Sequence, residues 1–70
     1  MTSFYAIGNK LTFNGMRGTI TQITETYRKN VLVVKLEHVP HHLRKEFRGA
    51  NSIGLFEYPD GRLEFMVVVD

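Results

Sequence analysis

The sequence contains no cysteine and no tryptophan, and its longest run of apolar residues covers only positions 65–69. Without cysteine the chain can form neither a disulfide bond nor a thiolate zinc site, which is typical of proteins in a reducing compartment. The apolar run is far too short to cross a bilayer, and the first residues lack the pattern of a secretion signal. We therefore expect a cytoplasmic protein without a membrane partner.

Length and composition predict a single small domain that spans residues 1–70. Of the 70 residues, 43% are hydrophobic and 23% are charged, as in ordinary folded proteins. A chain of this size buries only about 60% of the surface that it exposes when unfolded, so a partner chain would add to its stability. The formal net charge of +2 and the pI near 9.2 permit a polyanionic partner without requiring one.

Short runs rich in Val, Ile, Thr, Tyr and Phe alternate with turn residues, which predicts an all-β fold. The predicted strands, of which the first is irregular, are residues 3–7, 10–13, 17–26, 30–37, 52–58 and 63–69. Hairpin turns are predicted at residues 27–30 and at Pro59-Asp60-Gly61, because proline followed by Asp-Gly favours a tight turn. Ile20 and Ile23 lie three residues apart instead of two, so we expect a β-bulge near Thr21.

One segment has a helical pattern instead. Pro40 suits a first helical position, Gly49 suits the residue after a helix end, and Leu43 and Phe47 lie one turn apart. We predict a short helical turn near residues 40–48 that packs Leu43 and Phe47 against the core. Five to six short antiparallel strands with such a turn predict a small SH3-like barrel, and an OB-like barrel, which usually needs a longer chain, is the alternative.

Residue alternation assigns the strand side chains to the two faces of the sheet. Leu32, Val34 and Leu36 share one face of their strand. In the last strand the alternation predicts Leu63, Phe65, Val67 and Val69 on one face and Met66 and Val68 on the other. Unless the helical turn or the N-terminal strand covers them, six apolar side chains opposite the core would form an interface with a second copy or a host protein: Val31, Val33, Phe56, Tyr58, Met66 and Val68.

The glycines at residues 8–20 have a structural interpretation. Gly15 can adopt a positive φ at a turn, and Gly18 lets the next strand bend or pass close to another backbone. These glycines therefore predict a tight turn between two strands, and this is the simpler account of them.

The same stretch resembles the opening of a KOW-type barrel, a family found in ribosomal and transcription-elongation proteins. The matching features are Gly8-Asn9, the alternating Leu11 and Phe13, Gly15 at the turn, and Gly18-Thr19-Ile20 at the next strand. An acid is common in the family where this chain has Asn9. The resemblance covers roughly residues 8–23, and it implies an SH3-like fold with RNA contact at a loop tip that carries Arg17.

Basic and aromatic side chains predict a nucleic-acid interface. If Leu43 and Phe47 face inward, the basic residues of the helical turn face solvent, where they can contact successive phosphates. A tyrosine beside two cations at the predicted hairpin tip is typical of base stacking. The predicted contacts are Arg17, Tyr27, Arg28, Lys29, His41, Arg44, Lys45 and Arg48. A simply solvated helix face is the alternative interpretation of so short a charge run.

Metal binding and catalysis have weaker support. His38, His41 and His42 could bind zinc or nickel together with Glu37 or Glu46, but adjacent histidines point in different directions, so we predict no metal and no cofactor. The chain has no cysteine nucleophile, and its carboxylates are scattered over strand ends and turns. We therefore expect a protein that is not an enzyme.

The sequence predicts a non-enzymatic module that binds RNA or DNA through the basic turn and the hairpin tip. The alternative is a small protein-interaction or inhibitor module, of the kind that phages and plasmids encode, which binds a host protein through the apolar sheet face. A small ribonuclease toxin is a third and weaker hypothesis.

Overall fold

The computed structural model describes residues 1–47 and 49–69. Five antiparallel strands form one sheet in the order in which they follow along the chain: β1 (Lys10–Phe13), β2 (Met16–Glu25), β3 (Asn30–His38), β4 (Ser52–Glu57) and β5 (Leu63–Val69). A 3₁₀ turn at His41–Leu43 lies between β3 and β4. The predicted all-β class is confirmed. Within the described residues the ladder runs from β1 to β5 and does not join these two strands to each other.

The prediction of a strand at residues 3–7 is wrong. The backbone N–H groups of this segment are bound by side chains instead of a neighbouring strand: Phe4 donates to Glu57 Oε2 at 2.8 Å, and Ala6 donates to Asn9 Oδ1 at 3.0 Å. The segment is consequently irregular, and it runs into β1 through a turn at residues 7–8.

The bulge predicted near Thr21 is confirmed. The ladder between β2 and β3 passes from the pair Ile20–Val34 to the pair Gln22–Val33 and leaves Thr21 without a partner. Because of this extra residue, Ile20 and Ile23 both point toward the core. We call this side of the sheet the core face and the opposite side the outer face.

A further bulge, in β5, contradicts the strict alternation predicted for the last strand. Leu55 pairs with Phe65, but Gly54 pairs with Val67, so Met66 is the extra residue. A Cβ atom added to Gly54 on the outer face would lie 3.4 Å from Val67 Cγ1 and 3.6 Å from Met66 Sδ. Met66 and Val67 therefore both lie on the outer face.

This bulge also corrects the predicted position of Val68. Directly opposed residues of an antiparallel pair share a face, and Val68 is opposed to the buried Ile53. Val68 therefore lies on the core face and not opposite the core. Met66 remains on the outer face, as predicted.

The core is a cluster of side chains from the first four strands: Leu11, Met16, Ile20, Leu32, Val34, Ile53 and Leu55. Leu43, the last residue of the 3₁₀ turn, and Phe47, which follows it, pack against this core, which confirms their predicted role. The ring of Phe47 meets the ring of Phe65 edge-on, with centroids 5.7 Å apart. The helical turn therefore covers the core face of the sheet.

Two glycines of the β1–β2 hairpin have the predicted roles. Gly15 has a φ of 83°, and a Cβ atom there would lie 2.9 Å from Pro40 Cγ. A Cβ atom at Gly18 would overlap the carbonyl oxygen of Lys35 on β3. The hairpin is thus held close to β3 and to the segment that follows it.

Two polar side chains are completely buried at the other end of the core. Glu57 and Asn30 are both 0% exposed, and Asn30 Nδ2 donates to Glu57 Oε1 at 3.0 Å. The other carboxylate oxygen accepts the hydrogen bond from the Phe4 backbone. Every buried polar side-chain atom of the described residues has a partner. Glu57 therefore joins the N-terminal segment to β3 and β4.

Replacement of Glu57 tests the importance of this cluster. In Glu57→Gln an NH₂ group replaces one acceptor and leaves a buried donor unpaired, so we expect the free energy of unfolding to fall by about 1–3 kcal/mol. Urea denaturation followed by circular dichroism measures this loss. The matched control is Glu64→Gln at an exposed position, which should change stability by about 0.5 kcal/mol or less. Equal stability of the two variants would contradict a structural role for Glu57.

Candidate binding surfaces

The predicted nucleic-acid contacts fall into two groups at opposite ends of the sheet. Arg17 lies near the start of β2, opposite His38 at the end of β3. Tyr27, Arg28 and Lys29 lie at the other end of these strands, in the β2–β3 turn. The ten residues of β2 span roughly 30 Å at about 3.3 Å per residue. The structure therefore does not bring Tyr27 close to the basic turn.

Charge is distributed unequally between these two ends. The end that contains the start of β2, the end of β3 and the 3₁₀ turn, which we call the positive end, carries Lys10, Arg17, Lys35, Arg44 and Lys45 against Glu37 and Glu46. The opposite end carries Arg28, Lys29 and Arg62 against Glu25, Glu57, Asp60 and Glu64. Among the described side chains, five cations against two carboxylates give the positive end a formal charge of +3, and three against four give the other end −1; Arg48 and Asp70 lie outside this count.

The predicted contacts at the positive end are exposed. Arg17, His41 and Lys45 are open to solvent, although Arg17 lies within β2 and not at the loop tip, which is formed by Asn14 and Gly15. The Arg44 Nε–H group donates to the carbonyl oxygen of Val39 at 3.3 Å, so this residue also holds the turn. Arg48, also predicted as a contact, lies outside the described residues.

An open cleft of about 480 Å³ lies between β1, β2 and β3 at this end. Its wall includes Lys10, Arg17, Glu37 and His38. Lys10 Nζ forms an ion pair with Glu37 Oε2 at 2.7 Å, and the Thr19 hydroxyl donates to the same oxygen at 3.1 Å. The hydrogen bonds from Lys10 and Thr19 hold the pKa of Glu37 below its ordinary value of 4.5. Within the described residues this is the sole ion pair, so Arg17 and Lys45 have no carboxylate partner there.

At the opposite end, cations cover the aromatic rings of the outer face. Lys29 Nζ lies 3.9 Å from the ring centroid of Phe56, and Arg62 Cζ lies 4.5 Å from that of Tyr58. Partial burial, followed by the hydrogen bond to Glu64, raises the pKa of Tyr58. Tyr27, the predicted stacking residue, is 93% exposed, and no cation of the described residues lies over its ring.

Apolar side chains occupy the middle of the outer face. Val31 is opposed to Phe56, and Val33 is opposed to Gly54, which in turn is opposed to Val67. Val31, Val33, Phe56 and Tyr58 are half-buried, as neighbours on one face shield each other, whereas Met66 and Val67 are 43% exposed. The predicted apolar surface therefore exists with Val67 in the place of Val68.

The sequence prediction of nucleic-acid contacts did not include four residues that lie on the candidate surfaces. Lys10, Lys35 and His38 lie at the positive end, and Arg62 covers Tyr58 at the opposite end. Three of them lie in β1 or β3, where strand alternation alone indicates which face a side chain occupies but not which cations of other strands lie beside it. Lys10 and Lys35 come together through the register of the sheet, in which Lys10 is opposed to Thr19 and Thr19 is opposed to Lys35.

The chain matches no protein-family model, no curated protein and no solved structure. Among the described residues, no three His, Asp or Glu side chains lie close enough together to hold a metal ion. No helix in the described part of the chain is long and apolar enough to cross a membrane.

Removal of Lys10 tests the electrostatics of the cleft. In Lys10→Ala we expect the pKa of Glu37 to rise toward 4.5, because its strongest hydrogen bond is lost. In the wild type the lowered pKa stabilises the fold at pH values above 4.5, and this contribution is lost as the pH falls through the pKa of the folded state. Carboxyl titration by NMR measures the pKa of Glu37 in the wild type and in the variant. An unchanged Glu37 pKa in the variant would contradict the assignment.

Proposed function

We propose that the protein is a non-enzymatic module that binds RNA or DNA through its positive end. The observation that supports this proposal is the unequal distribution of charge, which gives the described residues at one end of the sheet a formal charge of +3 and those at the other end −1. The resemblance of roughly residues 8–23 to KOW-type barrels agrees with this proposal and stays a prediction.

The exposed cations would act on the phosphate backbone. Arg17 and Lys45 are solvated and have no carboxylate partner among the described residues, so they would neutralise phosphates without first breaking an ion pair. Each neutralised phosphate releases condensed counterions, which makes the binding depend on salt. Because Tyr27 lies at the far end of β2, we propose phosphate contacts without a stacking platform, and hence weak sequence preference.

A charge-reversal pair tests the positive end. We expect the variant with Arg17→Glu and Lys45→Glu to lose most of its affinity for short duplex DNA and single-stranded RNA. The slope of log affinity against log salt concentration on the duplex should fall by about 2, since each phosphate contact contributes about 0.9. Fluorescence anisotropy with labelled oligonucleotides at several salt concentrations measures both quantities.

The matched control is the variant with Arg28→Glu and Arg62→Glu, which has the same net charge but changes the opposite end. It should retain the wild-type salt slope. Equal losses in both double variants would show that net charge alone attracts the oligonucleotide. Absence of binding by the wild type at low salt would remove nucleic acid as a ligand.

A second candidate function is protein binding through β5 and the neighbouring outer face. Four successive side chains, from Phe65 to Val68, are each 39–43% exposed. A monomeric protein rarely leaves so many neighbouring apolar groups in water, because their burial against a partner is favourable. The cations of the positive end take no part in this surface.

The substitution Met66→Glu separates the two candidate functions. It places a charge in the middle of the apolar surface, so we expect it to abolish protein association and to leave polyanion binding within about twofold of the wild type, given the distance from the positive end. Co-purification of partner proteins and anisotropy on the same preparation measure the two effects. Loss of oligonucleotide binding together with protein association would contradict the separation.

A further inference from the structure

The free edge of β5 combines unpaired backbone groups with a run of uncharged side chains. The sheet ends at this strand, and in the described part of the chain its residues make no backbone hydrogen bonds outside the ladder with β4. An edge of this kind presents N–H and C=O groups to which another strand can bind. Residues 65–69 carry no charge, so they do not repel an apolar strand.

Apolar side chains flank this edge on both sides of the sheet. Phe65 and Val68 lie on the core face and are each 39% exposed, whereas Met66 and Val67 lie on the outer face and are each 43% exposed. A partner that covered the outer face alone would leave Phe65 and Val68 in water. A strand laid along the edge covers both sets at once, because its own side chains point to both faces.

The bulge gives the face pattern of β5 a two-fold symmetry. From Leu63 to Val69 the side chains lie on the core, outer, core, outer, outer, core and outer face. Residues equally far from the peptide bond between Met66 and Val67 therefore share a face, and these pairs are Met66 with Val67, Phe65 with Val68, and Glu64 with Val69. Two copies of β5 related by a two-fold axis at that bond match face to face over residues 64–69.

A strand without a bulge matches this edge only if one of its residues lies opposite both Met66 and Val67, as β4 does on the other side of β5. The extra residue then has no partner of its own in the ladder. A second β5 carries the same bulge and matches on both sides of it. Self-pairing also sets Glu64 opposite Val69 of the second copy and Phe65 opposite Val68, so within residues 64–69 no like charges are directly opposed and each aromatic ring meets a β-branched side chain.

We propose that β5 pairs antiparallel with β5 of a second copy of this chain, with the two-fold axis at the bond between Met66 and Val67. The dimer contains one continuous sheet. This inference names the partner for the second candidate function, protein binding at β5, and does not depend on nucleic-acid binding.

The mass in solution is the first test. Sedimentation equilibrium of the wild type should give twice the 8.1 kDa of one chain. Val67→Lys sets two like charges beside the axis and should give the mass of one chain, with the circular dichroism spectrum unchanged. The matched control, Thr24→Lys, adds the same charge at an exposed outer-face position on β2 and should remain dimeric. A wild type that is monomeric at millimolar concentration would overturn the proposal.

Cross-linking tests the register, since the chain has no cysteine of its own. Glu64→Cys and Val69→Cys variants, mixed in equal amounts and oxidised, should form a disulfide-linked heterodimer. Each variant alone should not, because the proposed register separates the two copies of position 64 by several residues along the strand. Cross-linking of either variant alone as fast as in the mixture would overturn the register.

Failure of β5 self-pairing can be distinguished from failure of the proposed protein binding or nucleic-acid binding. A dimer that persists in Val67→Lys would show that the copies associate elsewhere, and the proposal would be wrong. A monomeric wild type that loses a protein partner on the substitution Met66→Glu would retain the second candidate function and overturn self-pairing. Oligonucleotide binding, measured separately on Val67→Lys, reports on the positive end of a single copy.

Discussion

The buried carboxyl group of Glu57 is the interaction on which closure of this fold depends. A single sheet has no second layer to cover its core face, so the cover must come from irregular segments of the chain. One of these is the N-terminal segment, and its hydrogen bond from Phe4 to Glu57 ties it to β4, while Asn30 fixes the other carboxylate oxygen from β3. The hydrogen bonds offset the cost of burying the carboxyl group, and in doing so fix the position of the cover.

The two covers leave part of the last strand exposed. The segment around the 3₁₀ turn packs Leu43 and Phe47 on the core, and the ring of Phe47 meets that of Phe65 on β5 edge-on. The core face of β5 remains partly open to water, since Phe65 and Val68 are each 39% exposed. The exposed edge is therefore a consequence of how this small sheet closes.

The difference between the bulges at Thr21 and at Met66 shows what the sequence can predict. The bulge at Thr21 was predictable, because polar residues separate Ile20 and Ile23 and their spacing reveals the change of phase. The bulge at Met66 was not predictable, because every residue from 65 to 69 is apolar. Such a run has no polar residues to show where the alternation between the two faces changes. The limits of the five strands that form followed from local pattern to within one residue, although the strand predicted at residues 3–7 does not form. The burial of Glu57 and the grouping of cations at one end depend on register, which local pattern does not give.

The positive end and the β5 edge are separate surfaces, and antiparallel pairing fixes how two copies would combine them. Val69 of β5 lies at the positive end, because it opposes Ser52, which opposes Lys35. Antiparallel β5 strands therefore place the two positive ends at opposite ends of the shared sheet. A nucleic acid long enough to reach both would bind the second one as an intramolecular step, at high effective concentration. Affinity would then rise with the length of the nucleic acid for a dimer, but much less for a monomer, although each copy makes the same contacts.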